Sequence, residues 1–164
     1  MIRRLLSASL LALSAAACTT VSADAPTGAP FAAYNAAMAG EVALPRAPQG
    51  RALDETMTLT RFAFGSCNHQ SRSQHMWAQI AAKDPQMFML IGDNVYGDQG
   101  WNGGSGLTSL RDSYAEQARH PEFARFRSDI PMLTTWDDHD YGFNDGGGSF
   151  AFKNLSEKIY ETFW

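Results

Sequence analysis

Thiol, carboxylate, phenol and imidazole side chains gather in three short runs of this 164-residue chain. They are Gly65-Ser66-Cys67-Asn68-His69, Gly92-Asp93-Asn94-Val95-Tyr96-Gly97-Asp98, and Asp137-Asp138-His139-Asp140-Tyr141-Gly142-Phe143-Asn144-Asp145. The third run holds four acids and a histidine, which repel one another unless cations neutralise them or solvent separates them. Carboxylates beside imidazole and thiol form the donor set of a metal centre. Carboxylate oxygens suit hard cations such as calcium, whereas thiolate and phenolate suit iron. A single Asp or Asn after a strand is ordinarily a turn or a helix cap, so the combination carries the reading. Two other chemistries use the same residues. One is a thiol nucleophile at Cys67 activated by His69 or His139, which leaves the acids without a task. The other is a non-catalytic calcium loop at 137–145, whose Phe143 stands where the EF-hand pattern needs glycine.

Each run follows a segment that reads as a strand. Residues 57–65 form the first. Residues 87–91 are a continuous apolar run of the kind expected of a strand buried on both faces. Residues 131–136 form the third, with proline at the first position, where a strand tolerates it. Helical periodicity fills the intervals: 74–83, with Met76, Trp77, Ile80 and Ala81 on one side and a stop at Asp84-Pro85; 107–118; and a further turn from Pro121 through 127. Residues 151–164 place Phe152, Leu155, Ile159 and Phe163 at helical spacing. The order β-α-β-α-β predicts an α/β fold of parallel strands joined by right-handed crossovers. Parallel strands end along one edge, and there the three polar runs would meet.

The beginning of the chain has a different character. A short basic head, Arg3-Arg4, precedes an apolar stretch of about a dozen residues, too short for the roughly 20 that span a bilayer. Residues 1–17 therefore read as a secretory signal. Ala15-Ala16-Ala17-Cys18 resembles a bacterial lipobox, which would make Cys18 a lipid anchor and place the protein in the periplasm or cell envelope. With Cys18 acylated, Cys67 is left as an unpaired thiol in an oxidising compartment, and a metal would give it a partner. Residues 18–50, rich in Ala, Pro, Gly, Ser and Thr, read as a flexible linker, leaving 51–164 as the domain. A net charge of −4 argues against nucleic acid as a stable partner.

The three runs, in this order, resemble the motifs of the alkaline phosphatase D family. Phe62-Ala63-Phe64-Gly65-Ser66-Cys67-Asn68, 91–98 and 136–145 carry the likeness, and it covers about two thirds of the chain. That family is similar to the purple acid phosphatases, whose Gly-Asp-x-x-Tyr motif is matched by Gly92 to Tyr96. The resemblance implies a layered, calcineurin-like metallophosphoesterase fold, here only its N-terminal part. No His follows His139, whereas the family supplies further ligands from a later Gly-Asp-x-His motif, so the chain is expected to be truncated. It implies iron(III) and calcium as cofactors, with Asp93 bridging, Tyr96 and Cys67 on iron, and Asp138 on the second metal. It also implies a phosphate ester substrate hydrolysed by a metal-bound hydroxide, with His139 facing the phosphate and protonating the leaving alkoxide. Asn68 and Asn94 would be substrate contacts.

Overall fold

Short apolar runs that end in glycine or polar residues form the strands: β1 (Phe62–Gly65), β2 (Met87–Ile91) and β3 (Met132–Thr135). The computed structural model describes residues 28–164, so the leader at 1–17 and Cys18 lie outside the described residues. All three strands are parallel in the order β1-β2-β3, with Phe64 opposite Met89 and Met89 opposite Leu133. The helices are α1 (Ala32–Ala39), α2 (Met76–Ala81), α3 (Thr108–Ala118), α4 (Pro121–Asp129), α5 (Asp138–Tyr141) and α6 (Lys153–Phe163). Helix α4 begins where Pro121 presets the backbone, with Glu122 in its first turn and Arg127 in its last, both favourable to the helix dipole.

Aromatic side chains join the sheet to the helices. The Trp77 ring of α2 lies 5.6 Å from Phe88 on β2 and 5.6 Å and 4.8 Å from Phe123 and Phe126 on α4. Its indole N–H donates to Gln74 Oε1 at 2.7 Å, so no polar atom of the buried ring goes unpaired. Removing such a side chain costs about 3–5 kcal/mol. Farther along the sheet, Leu110, Tyr114, Leu155, Ile159 and Phe163 complete the same core.

Among the described residues, helices cover only the sheet face that carries Phe88 and Leu90. On the opposite face Phe62, Phe64, Ile91 and Leu133 are 54%, 65%, 44% and 46% exposed. This corrects the expectation of a strand buried on both faces. The unbroken apolar run of β2 reflects an uncovered face as much as a core one.

Two further boundaries differ. Strand β1 begins at Phe62 rather than 57, because the Gln86 side chain takes up the backbone just before it: Oε1 accepts from Thr60 N at 2.7 Å and Arg61 N at 3.0 Å. The expected linker is, over the described residues 28–50, a packed arm. Tyr34 and Ala37 are buried, Ala47 N donates to Phe163 O at 2.8 Å, and Arg127 Nε donates to Pro48 O at 2.9 Å. Its small and Pro-rich composition suits an extended segment laid over a surface as well as a free tether, and hydrogen bonding decides between them.

Among the described residues, no helix is long and apolar enough to cross a membrane.

Candidate metal centre

At the C-terminal ends of β1 and β2 the chain turns sharply at non-glycine residues. Cys67 has φ 62° and Asp93 has φ 49°, both in the left-handed region that costs L-residues about 1–2 kcal/mol. Two backbone bonds hold the turns together, Cys67 N to Gly92 O at 3.3 Å and Asn68 N to Asp93 O at 2.8 Å. Gly92, at φ 114°, allows the third run to approach, since a Cβ there would lie 2.7 Å from the Asp137 Cβ. Strain of this kind persists where surrounding contacts overdetermine it, and it concentrates at functional sites.

These turns bring Cys67, Asp93 and Tyr96 together. Asp93 Oδ2 lies 3.4 Å from Cys67 Sγ and 3.4 Å from Tyr96 Oη. On its other side, donor atoms of Asp93, Asp138 and His139 all lie within 4.8 Å of one another. Asp93 thus belongs to two donor groups at once. Its Oδ1 is buried with no hydrogen-bond partner among the described residues. A buried carboxylate oxygen left without a donor is costly, and a cation would satisfy it. Asp93, Asp138 and His139 could hold a metal ion, and a thiol and a phenol adjoin the same carboxylate.

The surroundings shift the protonation of Tyr96, Asp138 and His139 in different directions. Burial, a hydrogen bond with Cys67 and the Asp93 charge push the Tyr96 phenol well above its usual range, so a cation is needed to draw out the phenolate. A backbone hydrogen bond from Asp145 holds Asp138 below the ordinary carboxylate value, against burial and with help from His139 N–H. Burial disfavours the His139 imidazolium, but the Asp98 carboxylate hydrogen-bonded to it outweighs burial, and Asp93 and Asp138 add to the effect. The net shift is upward.

His139 is held on two sides. Its Nδ1 lies 2.7 Å from Asp98 Oδ1, and its ring centroid is 4.3 Å from that of Tyr96. Asp98 is anchored in turn, its Oδ2 accepting from Asn144 N at 3.0 Å. The sequence reading included Asp98 in the second run but gave it no role; its signal was proximity to Asp93. The His69 ring stacks on the far face of the same pair, 4.9 Å from Tyr96.

The acidic run is more divided than its composition suggested. Asp137 caps α5, its Oδ1 accepting from Asp138 N at 3.0 Å. Asp140 is fully buried and accepts from Asn94 N at 3.0 Å, Asn94 Nδ2 at 2.9 Å, Val95 N at 3.1 Å, Asp137 N at 3.2 Å and Tyr114 Oη at 3.0 Å. Burial pushes its carboxyl up to about 6 against those donors, which leaves it ionised at neutral pH. Of the acids in this run, Asp138 is the one in the donor group. Besides cations and solvent, mutual repulsion in this run is relieved by dispersing the acids, Asp137 into a helix cap and Asp140 into a buried knot.

Asn68 and Asn94 are buried; their amide nitrogens are paired inside the fold, while the Oδ1 of each has no partner among the described residues. Asn68 Nδ2 donates to Asn94 O at 3.1 Å and Gln117 Oε1 at 2.9 Å; Asn94 Nδ2 donates to Thr135 O at 2.8 Å and to Asp140. These bonds tie the strand ends together, and Asn68 also lines a cavity beside Cys67.

No protein-family model matches the chain, and neither a curated protein nor a solved structure does. What fold and site define is a mixed α/β protein with a small three-stranded parallel sheet flanked by helices and a candidate cation centre at the sheet's C-terminal edge.

Proposed function

We propose that this chain hydrolyses phosphate esters at a cation centre held by Cys67, Asp93, Tyr96 and Asp138, with His139 beside it as the proton donor. The observation that carries the proposal is the placement of Asp93 between a thiol–phenol pair and an Asp–His pair, with one carboxylate oxygen buried and unpaired. A carboxylate so placed suits two adjacent cations. On this reading iron(III) belongs with Cys67 and Tyr96 and calcium with Asp138, and the α/β domain is part of a metallophosphoesterase-like layered fold. The likeness of the three motifs to the alkaline phosphatase D family supports that finer assignment, while export and a lipid anchor at Cys18 rest on the basic head, the short apolar run and the lipobox-like Ala15-Ala16-Ala17-Cys18.

Bound cations supply charge stabilisation for the phosphoryl transition state and a water nucleophile at neutral pH. The chain's own residues orient and protonate. Asp98 engages His139 Nδ1, which leaves Nε2, without a hydrogen-bond partner among the described residues, to protonate the departing alkoxide. Asp140 and Asn94 keep the second and third strand ends in register beneath it.

A thiol hydrolase has less support, because Cys67 meets Ser66 Oγ at 3.3 Å and Asp93, and neither imidazole is hydrogen-bonded to it. The discriminating assay follows p-nitrophenyl phosphate and its bis-ester with iron(III) and calcium supplied. Hydrolysis abolished by a chelator and restored by cations supports the proposal. Activity that survives chelation but dies on thiol alkylation would establish the thiol reading, and cation binding without turnover would establish a non-catalytic binder.

A further inference from the structure

A cavity of about 340 Å³ opens beside Cys67 and Tyr96, and Asp138 is not among its walls. It shares those two side chains with the candidate centre, and its remaining walls include Ser66, Arg72, Ser73 and Gln99. No Asp or Glu lines it, although the adjoining centre is built on carboxylates and the chain as a whole carries a charge of −4. The cleft is therefore divided electrostatically at the Cys67–Tyr96 wall, with a cation-holding side and a side furnished with donors and one guanidinium.

Arg72 makes no salt bridge among the described residues. Its backbone is nevertheless fixed: Arg72 N donates to His69 O at 3.1 Å, and the buried Gln74 amide donates to His69 O and Arg72 O, both at 3.2 Å. His69, at the centre of this turn, is held by Gln99 Oε1 at 3.0 Å from Nε2 and by its stack on Tyr96. A guanidinium without a carboxylate partner, carried on a rigid turn beside hydroxyl groups, matches the planar, donor-rich requirement of an anionic oxygen group.

We infer that this acid-free cavity is a subsite for a second anionic group on the phosphate ester, with Arg72 as its specificity-determining residue. The substrate class is then an ester whose alcohol portion carries a carboxylate or a second phosphate. This rests on the phosphoesterase reading of the neighbouring centre, but its test does not depend on turnover.

The test compares binding of phosphonoacetate, which has two anionic ends, with methylphosphonate, which has one, by calorimetry on the full chain with calcium and iron(III) supplied. Chelation in solution is common to all proteins compared and cancels between them. Wild type should prefer phosphonoacetate by roughly fivefold to tenfold, as expected of a partly exposed charge-assisted contact. Arg72→Ala should remove the preference while leaving methylphosphonate affinity within about twofold, and Arg72→Lys should restore part of it. A phosphonoacetate-to-methylphosphonate affinity ratio that Arg72→Ala leaves unchanged would overturn the subsite, and no binding of either anion would overturn it together with the neighbouring centre. Absence of hydrolysis with the anion preference intact would instead count against the catalytic reading alone.

Discussion

The Asp98 carboxylate lies 2.7 Å from His139 Nδ1, and the two side chains are only 12% and 15% exposed. The second and third strand ends are thereby joined through an acid and an imidazole, and the imidazole's other nitrogen is left for chemistry. Asp98→Asn keeps the shape and removes the charge. It should lower kcat by about 10–100-fold with little change in KM, the usual scale for losing a residue that orients a working histidine.

The same pair sets a pH dependence. The His139 pKa is raised in the folded chain, so its contribution to stability is fully present below the ordinary value near 6.5 and is lost as pH rises through the folded value. In Asp98→Asn the midpoint should fall, and the stability gap to wild type should narrow on the alkaline side. Histidine NMR titration with urea unfolding of the metal-free chain measures both; an unmoved midpoint would show that Asp98 is not the cause.

Asp140→Asn tests the buried knot. Each Asp140 oxygen accepts at least two donors, so an amide NH2 must face N–H or O–H groups whichever way it is turned. A loss of about 2–4 kcal/mol at pH 7 to 8 is expected from urea denaturation, through unsatisfied buried groups and a lost charge-assisted network. Tyr114→Phe removes a single donor and should cost about 1 kcal/mol.

Gly92→Ala meets both a backbone and a space limit, with φ at 114° and the Asp137 Cβ 2.7 Å from the new methyl group. It should destabilise the fold by about 1–3 kcal/mol and loosen the centre. Phe64→Thr on the uncovered sheet face is the contrasting case. At 65% exposure the ring contributes little to folding, so stability should hold within about 0.5 kcal/mol while binding of an apolar dye falls.

Much of this was legible in the sequence, and the rest was hidden for physical reasons. Strand β2 occupies 87–91 as its apolar run required, and parallel strands delivered Cys67, Asp93 and Asp138 to one edge. Composition could not distinguish the cap at Asp137 and the buried Asp140 from the ligand-type Asp138, because all three are the same residue type within four positions and only hydrogen bonding separates them. Nor could it reveal that residues 28–50 are laid against α6 and α4, since that depends on Ala47 N donating to Phe163 O and the Arg127 side chain donating to Pro48 O, residues distant in the chain.

Cation stoichiometry tests the shared position of Asp93 most directly. Metal content of wild type, Cys67→Ala, Asp138→Ala and Asp93→Ala should be measured after loading with iron(III) and calcium and removing excess. Cys67→Ala should lose mainly iron, Asp138→Ala mainly calcium, and Asp93→Ala both, each by at least about tenfold in affinity. Wild-type content of both cations in Asp93→Ala would contradict the shared centre.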